Sequence, residues 1–209
     1  MRRLLVFAAV LAVFGVRHLS WVSDQTAEWI SLATPFAVVA AAAAVLAQLQ
    51  ARGAPLAVAI VGGILYVDGH GMHLAADSIR SEGLSGEAER VAHFWDERIS
   101  HWELHSGLML VVVAFCLAEA EARVPVAPAP WAAVSTVALL GLTLFAGVVE
   151  GGTWWLLPPA AIGLGIWAVL RPRPLLRTCA AAFGLALVLL VVWVVWHGGV
   201  PEFSDLGWI

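Results

Sequence analysis

Two histidine-rich segments of the sequence carry the residue types that bind transition metals. In the first, His70, His73 and Asp77 are spaced i, i+3 and i+7, so a helix places them on one face. Gly69 and Gly71 flank His70, which removes side-chain bulk and lets another backbone or a ligand approach closely. This segment therefore supplies three candidate metal ligands from one helix.

The second segment contains a stripe of residues that recur every four positions: His93, Glu97, His101 and His105. His101 and His105 have the i, i+4 spacing of a two-histidine metal clamp, and Glu97 lies one turn before them. Zinc-hydrolase helices use the same chemistry, with two histidines on the metal and a carboxylate as base, although the H-E-x-x-H string itself is absent here. We interpret Glu97 as the candidate catalytic base and its neighbour Asp96 as a further ligand.

The predicted ligands come from both segments and from His197, the last histidine of the chain. Helix bundles also build dinuclear sites from two helices that each present histidines and a carboxylate. A divalent zinc or iron ion is the expected cofactor, and copper is a further candidate. A haem between two facing histidines, or a polar cluster with only a structural role, are the alternatives. The candidate metal ligands are His70, His73, Asp77, His93, Asp96, His101, His105 and His197.

The composition indicates that this chain is built for a membrane. Of its 209 residues, 61% are hydrophobic and only 12% are charged, and the mean hydropathy is +0.89. Soluble domains carry about 25% charged residues, so this chain has too little polar surface to cover a water-soluble globule. The formal charge of −4 and the lack of a basic stripe with interleaved aromatic residues exclude a nucleic-acid partner.

The apolar runs predict an all-α, polytopic membrane helix bundle of seven transmembrane helices within one integral membrane domain, residues 1–209. The first run is the shortest, because its apolar stretch extends only from Leu4 to Val16. It resembles a signal peptide in length, but no small-x-small cleavage site follows it, so we interpret it as a span. The predicted spans lie near residues 3–22, 27–48, 55–76, 97–118, 131–149, 153–170 and 177–197.

The arginines predict the orientation of the bundle. Cytoplasmic loops carry an excess of positive charge, and an N-inside, C-outside topology places seven arginines inside and four outside. That topology places all the histidines toward the extracytoplasmic side of what we expect to be a prokaryotic plasma membrane. It also predicts that the adjoining ends of the third and fourth spans face each other, bringing His70 or His73 close to His101 or His105.

These features predict a metal-dependent membrane enzyme whose partners are the lipid bilayer and a lipid or other hydrophobic substrate. With zinc, Glu97 would deprotonate a metal-bound water for hydrolysis, whereas iron or copper would support an oxidation. The alternatives are a non-enzymatic metal- or haem-binding carrier, transporter or assembly factor, and a structural subunit of a membrane complex. The cytoplasmic halves of the spans are almost wholly apolar, which disfavours a transport path through the bundle.

Overall fold

The described part of the chain is all-helical in class, as the sequence predicts. The computed structural model describes residues 2–16, 22–81, 86–122, 127 and 129–208, and this part of the chain is 85% helical with no strand. A turn of π-helix at Trp95–Ser100 interrupts one long helix, and a 3-10 turn at Trp154–Leu156 precedes another. The α-helices are α1 (Arg2–Val16), α2 (Asp24–Gln48), α3 (Gly53–Ser81), α4 (Glu87–Phe94), α5 (His101–Glu121), α6 (Pro130–Glu150), α7 (Leu157–Leu170) and α8 (Pro174–His197).

Five of these helical segments are long and apolar enough to cross a membrane. The 15 residues of α1 and the helical stretch Trp154–Leu170 fall short of the length of those five. A helix needs roughly 20 residues to cross the hydrocarbon, so length and composition support five of the seven predicted spans. The five segments are Gln25–Gln48, Gly53–Ala76, Glu87–Glu121, Pro130–Glu150 and Pro174–His197.

Glycines let α3 and α5 pack with their backbones almost in contact. A Cβ atom on Gly107 would lie 2.5 Å from the Tyr66 backbone nitrogen, and one on Gly62 would lie 2.7 Å from the Gly107 carbonyl oxygen. A Cβ on Gly69 would lie 2.5 Å from the Leu104 nitrogen. Helices in membranes associate through such small residues, because close approach supplies the van der Waals contact that drives their packing. The two histidine-rich segments are therefore carried by one tightly packed helix pair.

A buried carboxylate joins the far end of α5 to the beginning of α8. Glu119 is fully buried, and its two carboxylate oxygens accept hydrogen bonds of 2.9 Å from the backbone nitrogens of Leu175 and Leu176. The first N–H groups of a helix have no partner within the helix, and a negative charge there also complements the helix dipole. Glu119 thus fixes α8 against α5, and the side chains of α8 and α6 pack on each other to enclose the core.

Candidate metal centre

Two histidines and an aspartate converge where α3 meets the start of α5. His73, Asp96 and His101 each offer one ligand atom, and these atoms all lie within 4.8 Å of one another. His73 Nδ1 lies 2.7 Å from Asp96 Oδ1, and the rings of His73 and His101 are 5.1 Å apart. We call these three residues the triad. Their proximity confirms that the two histidine-rich segments face each other.

The turn of π-helix carries Asp96 and ends directly before His101. In a π-helix the backbone bonds run from residue i to i+5, which suits the approach of Asp96 to His101, five residues later. Glu97, four residues before His101, also lies beside it. The Asp96 side chain is fully buried, and the Ser100 hydroxyl lies 3.3 Å from its Oδ1 atom. Single π-turns inside α-helices occur frequently at functional sites, and this one positions a ligand candidate.

Glu97 lies beside the triad and belongs to its polar surroundings. Its Oε2 atom is 3.7 Å from His101 Nδ1, and its Oε1 atom is 3.9 Å from His93 Nδ1. The Glu97 side chain is 26% exposed, whereas that of His93 is 65% exposed. Glu97 thus lies beside the triad and retains access to solvent. His93 lies at the surface outside the triad.

His105 is held by the end of α6, one turn further along α5. Its Nδ1 atom lies 2.6 Å from the Thr153 hydroxyl, and its ring stacks on His101 with centroids 6.0 Å apart. Space for the ring depends on Gly151, where a Cβ atom would lie 2.6 Å from His105 Cε1 and 3.0 Å from His101 Cγ. Gly147 is similarly close, since a Cβ there would lie 3.0 Å from His105 Nε2. The sequence reasoning missed Thr153, which follows a Gly-Gly pair directly after α6.

The remaining candidate ligands lie in other surroundings. His70 is buried and donates a hydrogen bond of 2.8 Å to the Ser31 carbonyl oxygen of α2. The ring of His197 packs on Trp193, with centroids 4.2 Å apart, in an aromatic cluster that includes Trp208. Asp77 belongs to α3, but its side chain lies outside the described residues. The structure therefore brings His73, Asp96 and His101 together and places His70 and His197 elsewhere.

The segment after α8 folds back toward the triad. Glu150 Oε2 accepts a hydrogen bond of 2.8 Å from the Phe203 nitrogen, and Trp193 donates one of 3.0 Å to the Pro201 carbonyl oxygen. Burial, and then the charges of Glu97, Glu150 and Asp205, raise the pKa of the Glu202 carboxyl to about 7. This segment adds carboxyl groups on the side of Glu97, and the sequence reasoning gave it no role.

The donor set of the triad fits a catalytic transition-metal ion. Catalytic zinc sites use three protein ligands and leave a fourth position open, and two histidines with one carboxylate also form the facial site of non-haem iron. Zinc bonds of about 2.0–2.1 Å place neighbouring donor atoms roughly 3.4 Å apart, so donors within 4.8 Å require only small side-chain rotations. The second carboxylate, Glu97, adds negative charge that favours a bound cation.

Comparison with known proteins assigns no family to this arrangement, because no family model, curated protein sequence or solved structure matches the chain. The residues of the site therefore carry the functional conclusion.

Proposed function

We propose that this protein is a metal-dependent membrane hydrolase that holds zinc on the triad and acts on a lipid or another hydrophobic substrate. The observation that carries the proposal is the convergence of His73, Asp96 and His101 within 4.8 Å, with the Glu97 carboxylate adjoining His101. An iron-dependent oxidation is the second candidate, because two histidines and one carboxylate are also the ligands of non-haem iron oxygenases. Glu97 favours hydrolysis, since a hydrolase needs a base beside its metal.

The residues around the triad have separate roles in this proposal. A bound zinc ion would act as a Lewis acid and lower the pKa of a coordinated water. Glu97, beside His101, would accept a proton from a water held there and return it to the leaving group. Ser100 holds the Asp96 carboxylate in place, and Thr153 fixes the ring of His105 against His101. Such surrounding contacts orient ligands and tune metal affinity.

An apolar rim supports a hydrophobic substrate. Trp102 follows His101 directly, is half-exposed and contacts Trp155, with ring centroids 4.4 Å apart. Tryptophan is enriched where the hydrocarbon of a bilayer meets water, because its ring is apolar and its N–H is polar. A substrate lying in the bilayer would meet the triad at this boundary, where a polar bond can reach the metal while its chains stay in lipid.

We further propose that the bundle has seven spans, with its N-terminus in the cytoplasm and the triad toward the extracytoplasmic side of a prokaryotic plasma membrane. The arginine asymmetry supports this topology. So does Trp154–Leu170, which is apolar and close to the roughly 17-residue lower limit for a span. The predicted first span, near residues 3–22, includes residues 17–21, which lie outside the described part of the chain.

Glu97→Gln in zinc-loaded protein tests the proposal. The amide keeps the shape of the side chain but cannot take a proton, so the variant should retain zinc and lose roughly 100-fold or more of its turnover. The measurement is release of product from lipid esters and amides in nanodiscs, followed by mass spectrometry. Glu89→Gln, an exposed substitution on α4, is the matched control.

Three outcomes would contradict hydrolysis by this site. Full turnover by zinc-loaded Glu97→Gln would exclude Glu97 as the base. Turnover that requires iron and dioxygen would favour the oxidation. Zinc binding without turnover of any lipid would favour a carrier.

A further inference from the structure

A large groove runs along one side of α3, apart from the triad. It has a volume of about 980 Å³, lies between α2 and α3, and has Leu108 of α5 among its lining residues. Its walls are almost entirely apolar, with Ile60 and Ile64 more than half exposed. Asp68 is the acidic residue in its lining. The groove therefore combines a long apolar surface with one carboxyl group.

A second carboxyl group adjoins Asp68. Glu103 of α5 packs against Gly69, the residue after Asp68, because a Cβ there would come within 3.1 Å of Glu103 Cβ. The Glu103 Oε2 atom is sealed from solvent, and no described group donates a hydrogen bond to it. The Glu103 carboxyl thus offers an acceptor atom for which the described residues supply no donor.

These two acids lie within the membrane-crossing segments Gly53–Ala76 and Glu87–Glu121. An ionised acid near the centre of a span costs roughly 2.5 kcal/mol or more unless it is paired. The sequence contains no lysine, and among the described ion pairs none joins a basic side chain to Asp68 or Glu103. A cation with an apolar tail would supply both the missing charge and the missing donors.

We propose that this groove binds a long-chain primary amine from the bilayer, with its ammonium group at Asp68 and its alkyl chain along α3 toward Leu56. The helix from Asp68 to Leu56 is about 18 Å long, which suits an extended alkyl chain. A phospholipid headgroup would bring a phosphate against two acids and be repelled. The ligand therefore carries an amine without a phosphate. This site is independent of the triad and of the proposed hydrolysis.

A photoreactive long-chain amine, with a diazirine near the end of its chain, tests the site in nanodiscs. We expect crosslinks to the groove walls of α2 and α3, mapped by mass spectrometry. Unlabelled amine should displace the probe at concentrations at least about tenfold lower than the alcohol of the same chain length. Phosphatidylethanolamine should not displace it.

Two pairs of variants separate the charge from the groove. Asp68→Asn should weaken displacement by the amine at least about tenfold, whereas Asp205→Asn, an exposed acid outside the groove, should not change it. Gly63→Leu should fill the groove and abolish labelling, because a Cβ at this lining position meets no atom within 4 Å. Gly163→Leu on α7 is equally uncrowded and lies outside the groove, so labelling should persist.

Several results would overturn the proposal. Equal displacement by amine and alcohol would mean that the groove holds any lipid chain. Displacement by phosphatidylethanolamine would mean a phospholipid site. Crosslinks outside the groove, or full labelling of folded Gly63→Leu, would place the amine elsewhere. The Gly63→Leu variant tests the location of the amine even if Asp68→Asn fails to fold.

Discussion

Glycines at the end of α6 leave space for the rings of His101 and His105 on α5. Gly151 is in contact with both His101 and His105, so any side chain there must displace them. We expect Gly151→Ala to lower zinc affinity roughly tenfold or more, the effect typical of disturbing the surroundings of metal ligands. Titration calorimetry of zinc binding measures this. Gly163→Ala, where the added methyl meets no atom within 4 Å, should bind zinc like the unmodified protein.

The pH dependence of stability reports on Glu202. Its pKa is raised to about 7 by burial and by Glu97, Glu150 and Asp205, from a usual value of 4.5. The folded protein therefore binds a proton at Glu202 more tightly than the unfolded chain does. The stability that this proton contributes is fully present below about pH 4.5 and is lost as the pH rises through about 7.

Glu202→Gln removes this dependence, because the amide does not titrate. In chelator-treated protein, the melting temperature of Glu202→Gln should rise relative to that of the unmodified protein as the pH increases from about 4.5 to about 7. Glu89→Gln, on the exposed face of α4, should show no such gain. A difference between Glu202→Gln and the unmodified protein that stays constant with pH would contradict the raised pKa.

At the level of single residues, the sequence predicted the three residues that the structure brings together, but also several that it places elsewhere. His73, Asp96 and His101 were all among the candidate ligands, because metal-binding types at helical spacing are visible in a sequence. Thr153 was missed, since its partner His105 lies 48 residues away along the chain. Such contacts depend on how helices pack, and local spacing carries no trace of them.

The α3–α5 pair is the element on which the site is built, and its close packing gives a sharp test. Gly107→Ala would place a methyl group 2.5 Å from the Tyr66 nitrogen, so the helices must separate. We expect a loss of roughly 1–3 kcal/mol in the free energy of unfolding. Gly63→Ala, on the open face of α3, should be close to neutral. Thermal unfolding in detergent compares the two, and equal melting temperatures would contradict the close contact.

Helical periodicity predicted where the elements lie but not the π-turn between α4 and α5. The repeat of His93, Glu97, His101 and His105 suits an unbroken α-helix, and nothing in the residues of Trp95–Ser100 signals an extra backbone residue. Pairing of Asp96 with His73, on another helix, accompanies the i to i+5 geometry. Contacts with another helix therefore accompany this local feature, which periodicity missed.

At the scale of the whole molecule, composition alone was enough to predict a membrane-embedded helical bundle, while the topology across the membrane awaits a labelling experiment. Cysteines at Glu89 and Arg171, both exposed, can be introduced after replacing the buried Cys116 and Cys179 by alanine. With N-inside topology, an impermeant thiol reagent should label Glu89→Cys in intact cells and Arg171→Cys only after lysis. The reverse pattern would place the triad in the cytoplasm.

The zinc content of the purified protein tests the metal centre most directly. We predict one zinc ion per chain by elemental analysis, lost in His73→Ala and in His101→Ala, because a site with three protein ligands loses most of its affinity with any one of them. His197→Ala, which alters a histidine packed among tryptophans, should keep its zinc. If folded His101→Ala binds as much zinc as the unmodified protein, the triad is not the metal site.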